Sequence, residues 1–196
     1  AWARSVELRE GEVEGHTLQL AEMTVRLAQA VGIPEANLVH VRRGALLHDL
    51  GKLGLPDSLL FKPGSLSQEE WVLMRKHPLY AYNLLYPISQ LRPALEIPYC
   101  HHERWDGTGY PHGLAGESIP LSARAFAVVD VWDAFRSQRV FRPAWPDHKI
   151  LKRIQGLAGT VFDPMVVEKF MAMIEQAVPQ TQVLPEPIQQ TRHKKV

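Results

Sequence analysis

Two adjacent histidines, His101 and His102, stand ahead of a charged, glycine-rich stretch, HHERWDGTGYPHGLAGESIP, that a hydrophobic core could not easily absorb. They belong to a scattered set of groups able to bind cations. His48 and Asp49 form an adjacent imidazole–carboxylate pair; a carboxylate with two oxygens can bridge two metal ions while the neighbouring nitrogen binds one of them. Glu12 and His16 lie four residues apart, the spacing of a ligand pair on one helical face and equally that of a surface ion pair. His77 follows a predicted helix and precedes Pro78, where it is either a ligand or a cation favoured by the helix dipole. Asp130 sits within AFAVVDVWDAF, an apolar run in which a buried carboxylate demands a cation. Donors of nitrogen and oxygen without thiolate disfavour structural zinc and suit six-coordinate iron, manganese, nickel or cobalt.

The elements that must carry these groups read as helices. HTLQLAEMTVRLAQAVG places Leu20, Met23, Leu27 and Val31 on one stripe, and Gly32 with Pro34 ends the pattern. A second helix begins at Glu35 and is expected to end with Gly51 as its C-cap, leaving His48 and Asp49 in its last turn. Ser67 followed by Glu70 is a capping box that starts another helix running toward His77. Further helices are expected at about 80–85, 91–102, 122–136, 147–155 and 164–177, the last opened by Asp163 and Pro164 as N-cap and N1. Strand signals are scarce, so the fold class is all-α, and no internal repeat is present.

Composition bounds the rest. With 22 basic and 21 acidic residues the formal charge is +1, which provides no global field for a DNA or RNA polymer or an anionic membrane. No apolar run approaches the roughly 20 residues of a transmembrane helix, and the single cysteine, Cys100, excludes an internal disulfide and suits a cytoplasmic location and a packing role. The 196 residues fit one domain at about 1–178, followed by a flexible, proline- and glutamine-rich tail at 179–196. The chain begins without methionine and at once as helix, so upstream sensory or regulatory domains are expected to be missing from it.

His16, HDLGK at 48–52, His77, HHERWDGTGYP at 101–111 and DVWDAF at 130–135, in that order, strongly resemble the HD-GYP family. LPDSLLFKPGSLSQEEW and GLAGESIPLSARAFAVVD extend the resemblance over nearly the whole chain, up to about Ala177. It implies an HD-superfamily helical bundle that hydrolyses cyclic di-GMP to pGpG or GMP, in bacterial second-messenger signalling, at a centre of two or three divalent ions, iron or manganese first. The implied ligands are His16, His48, Asp49 as bridge, His77, His101, His102 and Asp130, with Glu12 an eighth found in the three-metal subset. Three carboxylates leave about +1 against two divalent ions and about +3 against three, and either charge suits a phosphodiester. A water shared between the ions would attack phosphorus in line, with no protein nucleophile required.

The resemblance also assigns secondary roles. Lys52 would neutralise phosphoryl or leaving-group charge, its alternative being a solvated lysine. Arg139 and Arg142 fall where the family contacts substrate, Arg142 at a position where lysine is common. In the loop, Gly107 and Gly109 allow unusual backbone angles, Tyr110 with Pro111 stiffens a tip that contacts substrate or a partner, and Arg104 and Asp106 brace it. Two departures bear on selectivity: Ala81 replaces a glycine after His77, and Arg136 replaces a small residue after Asp133. The implied partners are cyclic di-GMP and, through the loop, GGDEF-domain proteins; a homodimer is compatible. The competing readings are a non-catalytic interaction module and a phosphodiesterase for another cyclic dinucleotide such as cyclic GMP-AMP.

Overall fold

A computed structural model describes residues 2–10, 15–137 and 143–177. Among them the secondary structure is helical, with no strand beyond two isolated bridges. The helices are α1 (Trp2–Glu10), α2 (His16–Ala30), α3 (Glu35–Leu47), α4 (Asp57–Leu60), α5 (Gln68–Met74), α6 (His77–Leu85), α7 (Glu96–Cys100), α8 (Leu121–Arg136), α9 (Asp147–Gln155) and α10 (Pro164–Ala177). Short 3-10 turns at Leu50–Gly54 and Ser89–Ala94 join them.

The core is where the apolar stripes meet. Leu20 and Leu27 of α2, Val41 of α3, Phe126 and Val129 of α8, Ile150 and Ile154 of α9 and Phe170 of α10 form one buried cluster. Burying each such side chain contributes about 1.5–3 kcal/mol, so this cluster is the anvil on which the site is mounted. A second cluster unites Val6 of α1 with Leu50, Leu85 and Leu95, and a third unites Cys100 with Ile119 and Ala123. Burial pushes the Cys100 thiol up to about 12, consistent with packing rather than reactivity. Among the described residues no helix is long and apolar enough to cross a membrane.

Several helix boundaries differ from those expected. The capping box is present: Ser67 Oγ accepts from Glu70 N–H and the Glu70 carboxylate accepts from Ser67 N–H. That helix stops at Met74, however, and His77 opens α6 instead of closing α5, so the helix-dipole reading of His77 falls. α3 ends at Leu47 with His48 as C-cap, and Gly51 lies inside the following 3-10 turn rather than capping the helix. The helix expected at 91–102 is a 3-10 turn and the short α7, because Pro93 and Pro98 cannot donate backbone bonds. α9 and α10 match their expected spans, and Asp163 Oδ1 accepts from Met165 N–H as an N-cap should.

Candidate metal centre

Asp49 is the hub. Its position at the change from α-helix to 3-10 turn turns its carboxylate inward, and its two oxygens face different partners. Oδ1 lies 3.4 Å from His77 Nε2 and 3.8 Å from His101 Nε2, while Oδ2 lies 3.0 Å from His48 Nε2 and 2.7 Å from Lys52 Nζ. Asp49, His77, His101 and His102 have ligand atoms that all fall within 4.8 Å of one another, close enough to hold an ion.

The histidine tautomers are fixed by the backbone. His48 Nδ1 is 2.8 Å from the Ala45 carbonyl, His77 Nδ1 2.9 Å from that of Met74, and His101 Nδ1 3.0 Å from that of Ile97. A carbonyl only accepts, so each Nδ1 carries a proton; at His77 and His101 this leaves Nε2 to point into the cluster as a ligand, while His48 Nε2 faces Asp49 Oδ2. The consequence is sharpest for His77 and His101, whose Nε2 atoms face each other at 3.4 Å. Two lone pairs at that distance repel unless a cation lies between them, so the donor set fits a divalent ion. Burial holds His77 and His101 below the usual imidazole range and brings His102 down to about 3, the neutral state that ligation needs. For His48 burial opposes the charge, but the Asp49 carboxylate outweighs it and raises the ring to about 9. The burial penalty on Asp49 is likewise overcome by His48 and Lys52, which keep its carboxylate well below the usual range. In the metal-free protein the charges on His48 and Lys52 offset that of the Asp49 carboxylate.

Other expected residues are placed differently. Asp130 comes from α8, and burial raises its carboxyl although the His48 charge counteracts this. His16 Nε2 meets Asp133 Oδ2 at 2.7 Å, so its partner on α8 is one turn beyond Asp130. Asp133 was visible in DVWDAF three residues after Asp130, but sequence reasoning gave it no role. α2 begins at His16, and Gly15 before it has φ 82°. Glu12, Arg139 and Arg142 lie outside the described residues, as does the expected tail.

The loop after His102 is organised by a residue the sequence reading passed over. The carboxylate of Glu103, only 3% exposed, accepts from His112 N–H at 2.7 Å and Leu114 N–H at 3.0 Å. Asp106 contributes a local turn by accepting from Thr108, whereas Arg104 reaches it only at 3.6 Å; the principal brace is therefore Glu103. Gly109 is needed for room and not for its backbone angle: a Cβ there would lie 2.4 Å from Arg104 N and 2.6 Å from His102 O. Gly107, with φ 78°, does need its angle. Tyr110 stacks on the His102 ring at 4.7 Å between centroids and carries the Arg75 guanidinium on its ring, 5.3 Å from the centroid; Pro111 beyond it is exposed. The departures are both accounted for: Ala81 is fully buried and Arg136 pairs with Asp147 over Trp132.

Residues 2–166 match the family model described as HD domain. The chain belongs to the HD-domain family. This HD domain, with its GYP segment at 109–111, is similar to a cyclic di-GMP phosphodiesterase of Vibrio cholerae, 41% identical over 88% of the chain and 38% of that protein. A 3'3'-cGAMP-specific phosphodiesterase 2 of the same species is 38% identical over 85% of the chain and 32% of its own length. The HD domain therefore spans less than half of these relatives. The solved structure of a cyclic GMP-AMP specific phosphodiesterase from V. cholerae superposes with a TM-score of 0.68 at 18% identity, covering 89% of the chain and 47% of that one, a likeness of fold. The all-α HD fold expected from the sequence is thus the fold observed.

Proposed function

We propose that this HD domain is a metal-dependent phosphodiesterase for cyclic dinucleotides, with cyclic di-GMP the first substrate. The observation that carries the reading is the convergence of His77 Nε2 and His101 Nε2 on Asp49 Oδ1 with both Nδ1 atoms tied to backbone carbonyls. Relatives named as phosphodiesterases for cyclic di-GMP and for cyclic GMP-AMP support the substrate class. Two or three divalent ions, iron or manganese, would be held by His16, His48, Asp49, His77, His101, His102 and Asp130, with Glu12 joining a third. Bound ions supply Lewis-acid charge to a phosphoryl oxygen and make water acidic enough to act near neutral pH. Asp49, with its two oxygens facing different partners, is suited to bridge; the neutral His77 and His101 face it without competing protons. Lys52 holds a positive charge 2.7 Å from Asp49, and would offset the charge that develops on the phosphodiester's phosphoryl oxygens or on the departing 3′ oxygen. Tyr110 offers an aromatic edge to the ligand, Arg139 and Arg142 would grip phosphate or guanine, and the exposed loop at 111–113 suits a protein partner such as a GGDEF domain.

Anaerobic purification, elemental analysis and product analysis with cyclic di-GMP and cyclic GMP-AMP test this reading. Tightly held metal and hydrolysis of at least one substrate are expected, and a metal-loaded protein that binds dinucleotide without turnover would instead make it an interaction module. Lys52→Ala should keep its metal and lose about 10²–10³-fold in kcat, the scale of removing one charge-stabilising group. A wild-type rate would return Lys52 to the solvated surface. Glu12→Gln should lower bound metal by one ion per chain, since an amide is a far weaker ligand for a hard cation, and should leave partial activity. Unchanged metal and kinetics would remove Glu12 from the site.

A further inference from the structure

The turn that carries Lys52 is held from outside by a residue with no contact to the metal-binding cluster. Arg9, in the last turn of α1, donates through Nη1 to the Lys52 carbonyl at 3.0 Å and through Nη2 to the Leu55 carbonyl at 2.7 Å. Nη2 also pairs with Asp57 Oδ1 at 2.7 Å. α1 is anchored where it can do this. Val6 packs on Leu50, and the buried Glu7 carboxylate accepts from Thr17 N–H at 2.9 Å, fixing α1 to the start of α2. The turn is a 3-10 stretch, closed at its two ends by Lys52 N–H donating to the Asp49 carbonyl and Leu55 N–H to that of Lys52, a geometry weaker than an α-helix. A planar guanidinium spanning carbonyls three residues apart sets the pitch of that turn, a task a single ammonium cannot perform.

We propose that Arg9 is a positioning residue that acts through Lys52, fixing the backbone from which its ammonium reaches Asp49. This rests on the phosphodiesterase reading for its kinetic consequence but not for its structural one. α1 is thereby coupled to the site, and a shift of α1 along its axis is passed to the Lys52 side chain.

The test uses Arg9→Met, which keeps the bulk of the aliphatic stem, and Arg9→Lys, which keeps the charge but not the fork. Native-state hydrogen exchange in metal-free protein should show the Lys52 and Leu55 amides exchanging about tenfold faster or more in both variants, with α8 amides unchanged. In metal-reconstituted protein, kcat should fall about tenfold with metal per chain and KM unchanged, and Arg9→Met should add nothing on a Lys52→Ala background. Full rescue by Arg9→Lys would reduce Arg9 to a surface ion pair with Asp57. Unchanged exchange, or an equal loss of kcat on the Lys52→Ala background, would also overturn the proposal. Should the wild-type protein hydrolyse no cyclic dinucleotide, the phosphodiesterase reading fails alone and the exchange result decides the role of Arg9.

Discussion

Asp49→Asn is expected to strip the protein of tightly held divalent metal and to lower phosphodiester hydrolysis by at least about 10³-fold, the largest functional loss available from one isosteric change. Asparagine preserves the volume, so helical content by circular dichroism should be unchanged; only the charge and one acceptor are lost. Asp49 is the group through which His48, Lys52, His77 and His101 are related, with oxygens at 2.7–3.8 Å from all four. Without its charge the ring of His48, raised to about 9 chiefly against its own burial by Asp49, should titrate at lower pH in the metal-free variant. An NMR titration of the histidines checks this independently of activity. Full activity in metal-reconstituted Asp49→Asn would sink the assignment of the site.

Gly51→Ala is expected to produce the largest loss of stability. A Cβ at this position would lie 1.8 Å from the His77 carbonyl oxygen, 2.6 Å from Ala81 N and 2.8 Å from His77 C. All three are backbone atoms, so no rotamer relieves the clash, and the 3-10 turn must separate from α6. Overpacking commonly costs about 1–3 kcal/mol, and a backbone clash of this depth belongs at or above the upper end. At about 2–4 °C per kcal/mol for a domain of this size, Tm should fall by about 6–12 °C or more. Because the displaced atoms flank His77, metal retention should fall with it. A thermal melt within about 2 °C of wild type would show that the turn and α6 are not packed as described.

These two residues also mark what the sequence made legible. Asp49 was readable because a carboxylate beside a histidine, followed by further histidines in a particular order, has few other uses. The helices were readable where periodic apolar residues met strong end signals, as at Ser67 with Glu70 or Asp163 with Pro164. Gly51 was misread as a C-cap because a glycine after a periodic helix normally is one, and only the arrival of α6 against it, from a distant part of the chain, reveals its purpose. Glu103 and Arg9 were passed over for a related reason. Each acts on backbone groups brought by folding, Glu103 on the amides of His112 and Leu114 and Arg9 on the carbonyls of Lys52 and Leu55, and a backbone group leaves no side-chain signal to match. His16 shows the limit from the other side: its partner Asp133 was in view, but the pairing depends on how α2 and α8 cross.

The cluster draws its donors from separate stretches of chain: His48 and Asp49 after α3, His77 at the start of α6, and His101 with His102 after α7. None of these stretches can assemble it alone. Local fraying that frees any one of them removes a donor or shifts the Asp49 carboxylate, and an ion held by the remainder is held more weakly. Under the proposed phosphodiesterase reading, a damaged or half-folded copy is therefore expected to lose metal and turnover together. Activity in such a protein doubles as a certificate of intact folding.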